Sequence, residues 1–91
     1  MNQEKIGKFI AKERKEKSMT QQELAKKLNI TDRAISHWEN GRSMPDAGIM
    51  LELCKLLDIN VNELLSAKKI IKVYYINFKY KKSMGFHWQK Q

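Results

Sequence analysis

Asp32, Arg33, Ser36 and His37 stand at positions i, i+1, i+4 and i+5, so on a helix they share one face. Between them Ala34, Ile35 and Trp38 form the opposite, apolar face. The polar set suits hydrogen-bond reading of base edges. An arginine donates two bonds to guanine O6 and N7, worth roughly 1–3 kcal/mol of discrimination, and a carboxylate accepts from cytosine N4. Asp32 also has a plainer role, since an acid in the first turn of a helix is favoured by the helix dipole. His37 serves as a base contact, a phosphate contact or a solvated residue. Gln21, Asn40 and Arg42 are further hydrogen-bond donors close by in sequence.

Other chemistries are poorly provided for. His37 and His87 are the only histidines, and with Cys54 they make no metal-ligand spacing. There is no glycine-rich phosphate loop and no nucleophile elbow. We therefore expect no enzyme, no metal and no cofactor. The single cysteine excludes an internal disulfide. Cys54 lies on an apolar stripe and reads as a small buried hydrophobe. No apolar run of transmembrane length occurs, and Met1 to Lys15 lack a signal-peptide core, so the expected location is cytoplasmic.

The elements that position the polar face can be read in order. Helix one is expected from about Gln3 to Lys17, with Ile6, Phe9 and Ile10 as its apolar stripe. Thr20-Gln21-Gln22-Glu23 is a capping box that opens helix two, with Leu24, Ala25 and Leu28 turned inward. Thr31 caps helix three, which runs to Glu39 and ends at Asn40-Gly41, two residues that tolerate positive φ. Asp46 caps helix four, with Ala47, Met50, Leu53, Cys54 and Leu57 inward. Asn60 to Glu63 form a second capping box, which opens a short helix five. Two helices of about eight residues, joined by a three- to four-residue turn, make a helix-turn-helix with helix three as its second helix. That helix is the one such a motif lays in the major groove.

These residues carry a family likeness. Thr20 to Ala25, Ile30-Thr31, Ile35 to Arg42, Pro45-Asp46 and Val61 to Leu65 resemble the lambda-repressor-like (Cro/repressor, XRE-like) helix-turn-helix regulators. The likeness runs from Gly7 to Leu65. It implies an all-α, five-helix DNA-binding domain over residues 1–66 and a sequence-specific transcriptional regulator, a repressor that competes with polymerase. It implies a phosphate contact at Gln21 and base reading at Asp32, Arg33 and His37. Ser36 falls between base reading and phosphate contact, and Asn40 and Arg42 match phosphate contacts after the recognition helix. Thr31, at the helix start, is counted with this DNA-binding set. Arg14 and Glu39 match an internal ion pair that ties helix one to helix three. Two residues depart from the pattern. Glu13 stands where an apolar residue is usual and should weaken the packing of helix one, and Asp58 replaces a common glycine.

Charge is distributed unevenly along the 91 residues. Residues 1–43 carry +4, residues 44–66 carry −3, and residues 67–91 hold seven lysines and no acid. A basic front facing phosphate and an acidic rear fit double-stranded DNA as partner. One motif reads few base pairs, so a homodimer on a near-palindromic operator is expected, with half-sites about one helical turn apart. Val61 and Leu65, expected to be exposed apolar residues on helix five, are the candidate dimer contacts.

Residues 67–91 form a basic, aromatic extension. Alternation from Ile70 to Tyr80 fits a β-strand, which needs a partner strand or a packed face. Dimerisation through this strand, contact with DNA or an anionic membrane, and an accidental extension all stay open. So does a second function class: an antitoxin-like module that binds a partner protein through the tail and uses DNA only for autoregulation.

Overall fold

Side-chain oxygens replace missing backbone partners at the start of each helix. In the computed structural model, which describes residues 2–69, the helices are α1 (Gln3–Glu16), α2 (Gln21–Leu28), α3 (Asp32–Glu39), α4 (Ala47–Leu57) and α5 (Val61–Ser66). The architecture is all-α with five helices, as the sequence predicts, and no strand occurs among the described residues. The extension expected to form a strand over 70–80 lies outside them. Asn2, Thr20, Thr31, Asp46 and Asn60 each accept from the amide three residues on, at 2.7–3.2 Å. Such a cap is worth about 1 kcal/mol. At α2 and α5 the capping boxes close reciprocally, with Glu23 and Glu63 accepting from the Thr20 and Asn60 amides.

The helix ends are less economical. Ser18, Asn29, Asp58 and Ala67 all sit in the left-handed region, with φ of 57–58°. Asp58 thus occupies the conformation that favours the glycine it replaces. After α3 the expected pair divides its roles: Asn40 keeps φ at −93°, and only Gly41 turns to +74°.

The core draws on all five helices. Ile6, Phe9, Ile10, Leu24, Ala25, Ile35, Trp38, Leu53, Cys54, Leu57 and Leu64 are buried, joined by Ile59 from the α4–α5 turn. Each large apolar side chain so buried contributes about 1.5–3 kcal/mol. Burial pushes the Cys54 thiol pKa up, and the charge of Glu63 adds to that. Two expectations fail. Ala47 is exposed at the start of α4, where Ile49 and Met50 are the residues of the first turn that pack against the core. Val61 and Leu65 are not exposed: both pack partly buried against the core, and among the described residues the large apolar side chain left exposed is Leu51.

Two contacts dock α1 on α3. At Gly7 the helix backbones approach so closely that a Cβ would collide with the Trp38 carbonyl oxygen and lie 2.9 Å from that of Glu39. Seven residues on, Arg14 donates Nε to Glu39 Oε2 at 2.7 Å and an Nη to Oε1 at 3.0 Å. Its other Nη donates to the Met19 carbonyl at 2.8 Å. The Arg14 guanidinium is held above its usual pKa by the hydrogen bonds to Glu39, against the opposing effect of burial.

Glu13 does enter the apolar interior, with no exposed surface. Lys69, three residues past the end of α5, brings Nζ to 3.1 Å from its Oε1 and 3.4 Å from Glu16. Neither Glu13 oxygen has an aligned hydrogen bond, so charge attraction holds this contact. Contact with Glu13, and then with Glu16, holds the Lys69 ammonium above the usual lysine range. The packed unit therefore includes a residue beyond Ser66, where the sequence suggests the domain ends.

Three single substitutions and one double variant test this packing. Alanine is the better helix former by about 0.5–1 kcal/mol, yet Gly7→Ala should destabilise by more than about 2 kcal/mol in denaturant unfolding, because backbone blocks the new methyl. Ser18→Gly should do the opposite and add about 0.5–1 kcal/mol by relieving a left-handed residue. Lys69→Met should cost about 1–3 kcal/mol by stranding the Glu13 carboxylate, and adding Glu13→Leu should restore most of the loss.

Candidate nucleic-acid interface

The site is built on α3 and bordered by the start of α2 and the loop after α3. Ile35 and Trp38 anchor α3 in the core at 0% and 5% exposure, which leaves its opposite face outward. The turn before it is three residues, Asn29 to Thr31, and the left-handed Asn29 reverses the chain. Asp32 and Arg33 are exposed, and Ser36 and His37 are half-buried one turn on. Thr31 caps the helix, its hydroxyl accepting from the Ala34 amide at 3.2 Å.

Gln21, Asp32, Arg33, Ser36, His37, Asn40 and Arg42 together line one open depression. The structure thus gathers seven of the eight residues proposed from sequence for DNA contact. Thr31 stands beside the depression without lining it. Asn40 Nδ2 donates to Ser36 Oγ at 3.3 Å, which links the end of the helix to its middle. The Arg42 amide donates to the His37 carbonyl at 2.8 Å and holds the loop against the last turn. Arg33 and Arg42 outweigh Asp32, so the charge here favours an anion.

Gln21 has a partner that sequence does not disclose. Its Nε2 donates to Glu39 Oε1 at 2.9 Å, the oxygen that also accepts from Arg14. Glu39 therefore fixes α1 and α2 to α3 together. Arg14 and Glu39, matched to an internal ion pair, form a bidentate contact with side chains only 10% and 7% exposed. A pair so enclosed leaves neither group facing the depression. Two further residues support the site from behind. Gly7 sets the distance between α1 and α3, and Gln3 Nε2 donates to the Gly41 carbonyl at 2.7 Å and pins the loop that carries Arg42. Gly7 did leave a signal: a glycine inside a helix is an anomaly of propensity that points to close backbone approach. Gln3 left none.

Among the described residues no group of three His, Cys, Asp or Glu side chains is placed to hold a metal, and no helix is long and apolar enough to cross a membrane.

Comparison with known proteins agrees with this geometry. The helix-turn-helix family profile matches residues 10–64. The chain is similar to the HTH-type transcriptional regulator ImmR of Bacillus subtilis, at 31% identity over 74% of this chain and 53% of the relative. It is similar to Multiprotein-bridging factor 1 of Candida albicans, at 38% identity over 70% of this chain and 46% of the relative. It is also similar to the HTH-type transcriptional activator BcrR of Enterococcus faecalis, at 34% identity over 60% of this chain and 27% of the relative. The chain spans about half the length, or less, of these curated relatives. The solved structure of the clp gene regulator ClgR from Corynebacterium glutamicum shares the fold, with a TM-score of 0.66 at 24% identity over 74% of this chain and 86% of that one. With more than half its length matched, and with the two-helix motif in place as α2 and α3, the chain belongs to the helix-turn-helix family, in its XRE-like form.

Proposed function

We propose that this protein is a sequence-specific double-stranded-DNA-binding transcriptional regulator that inserts α3 into the major groove. The observation that carries this is the open depression on α3, where seven hydrogen-bonding side chains meet and two arginines outweigh one acid. Arg33 reads guanine through its two-pronged donor geometry. Asp32 and His37 contact neighbouring base edges, and Ser36 is shared between base and phosphate. Gln21, Asn40 and Arg42 take phosphates on either side, and Thr31 approaches the backbone at the helix start. The Gln21 amide nitrogen is committed to Glu39, so this residue meets phosphate from a fixed position.

One α3 spans only a few base pairs, so we assign the working form to a homodimer on a near-palindromic operator, with half-sites about one helical turn apart. Occupying such a site blocks polymerase, and repression is the mode we assign. Val61 and Leu65, the contacts expected from sequence, pack partly buried against the core and offer such a dimer only part of their apolar surface.

A second reading has one specific observation in its favour, the similarity to a relative named as a multiprotein-bridging factor. On that reading a protein partner is the main ligand and DNA serves autoregulation. Selection of bound sites from a random duplex library at about 150 mM salt separates the two. A regulator enriches a two-fold symmetric motif. Recovery of random sequence would overturn the proposal and favour the bridging role.

On the enriched site, Arg33→Ala should relax preference at one base position per half-site and cost about 1–3 kcal/mol there. Gln21→Ala should weaken all sequences alike and leave the salt slope nearly unchanged, because a neutral amide neutralises no phosphate. An equal loss from Arg33→Ala across every operator variant would remove Arg33 from base reading.

A further inference from the structure

The α3 depression leaves a second basic surface of the domain without a role. Lys5, Lys8 and Lys12 project from α1 over Phe9, toward Lys68 and Lys69 at the end of the described chain, and together they line another depression. The residues by which α1 meets α3 and its loop are Gln3, Gly7 and Arg14. At about 100° per residue the three α1 lysines lie roughly 150° around the helix from that contact. They face away from the recognition helix, on the side of α1 remote from a duplex seated on α3.

These charges are little neutralised. Lys69 is engaged with Glu13 and Glu16, and Lys12 lies 3.9 Å from Glu16. Lys5, Lys8 and Lys68 have no ion pair among the described residues. The lysine row of α1 runs from Lys5 to Lys12, seven residue steps or about 10 Å at 1.5 Å per residue. Along one DNA strand phosphates recur about every 3.4 Å of axis, so three lysines match about three phosphates. The rest of the sequence continues the same character, because residues 70–91 add five more lysines and no acid.

We propose that this lysine face binds the phosphate backbone of a second duplex segment, without sequence preference, so that the protein bridges two stretches of DNA. The chemistry of the face selects this occupant over the other polyanions. A membrane-surface helix needs an apolar face to bury in lipid, and here Phe9, the one large apolar residue lining the depression, is only 5% exposed, beside the small, partly buried Ala67. Protein interfaces are depleted in lysine and built around apolar centres, which this face lacks. A phosphate backbone requires only correctly spaced positive charge. The proposal extends the reading of α3 as the first DNA contact, but its test does not depend on an operator.

The test compares three forms of the full chain: unmodified, K5Q/K8Q/K12Q, and a control, K26Q/K27Q/K55Q, that removes the same charge from exposed positions elsewhere. Thermal melting followed by circular dichroism confirms that all three are folded. Random-sequence duplex immobilised on beads then captures a second, fluorescent duplex through the protein, over a range of salt. The unmodified chain and the control should bridge. K5Q/K8Q/K12Q should lose most of the second-duplex capture, and its log–log salt slope for duplex binding should fall by up to about 2.7, at about 0.9 for each phosphate no longer neutralised. Equal capture by all three forms, or an equal loss in the control, would overturn the proposal. So would recruitment to phosphatidylglycerol vesicles or an acidic peptide without duplex bridging. If random duplexes are bridged but no operator is ever selected, the lysine face stands and the base-reading role of α3 falls.

Discussion

The carboxylate of Glu39 is the point on which the domain turns. It closes the outer end of α3, accepts two bonds from Arg14 on α1, and accepts a third from Gln21 at the start of α2. Three helices are thereby fixed by one side chain that is itself almost wholly buried. An isolated buried charge is costly, and removing one partner of such a pair typically costs about 3–5 kcal/mol. Here the charge is answered by bidentate guanidinium geometry and an added amide donor, the strong form of this interaction. The arrangement defines orientation more than it adds net stability, since buried ion pairs seldom outperform well-packed apolar groups. Orientation is what the outward face of α3 requires.

The same three-helix junction explains why Gly7 has no side chain. Arg14 reaches Glu39 only if α1 lies close to the end of α3, and that closeness leaves no room for a Cβ at Gly7. Propensity is sacrificed locally so that packing and charge agree globally. Gln3 and Gly41 extend this logic to the loop carrying Arg42, with the start of α1 pinned against it. The proposed binding face therefore rests on a rigid element, and its loop residues are tied back to that element by backbone and side-chain bonds.

Much of this was legible in the sequence, and the reasons are local. Caps are written in single residues, so Thr20, Thr31, Asp46 and Asn60 announced their helices. The inward set on α3 followed from the spacing of Ile35 and Trp38. The outward set followed by subtraction, and the family likeness supplied roles for Gln21, Asn40 and Arg42. What escaped was tertiary. Nothing local tells that the Gln21 amide turns to Glu39, or that Gln3 reaches Gly41, thirty-eight residues away. Val61 and Leu65 looked exposed because a six-residue helix has too little periodicity to define a face. Glu13 looked like a defect in α1. Its compensation, Lys69, lies beyond the family motif and comes near only after α5 has folded back.

We propose the outward face of α3, held by Glu39, as the place where DNA binds. The most direct measurement is a titration of an isotope-labelled full chain with a duplex bearing its selected site, followed by amide chemical shifts. The largest changes should fall on Asp32, Arg33, Ser36, His37, Asn40 and Arg42, with the Arg14 and Glu39 amides changing little. Changes centred on α4 and α5, with α3 unmoved, would put the DNA-binding face elsewhere on the domain.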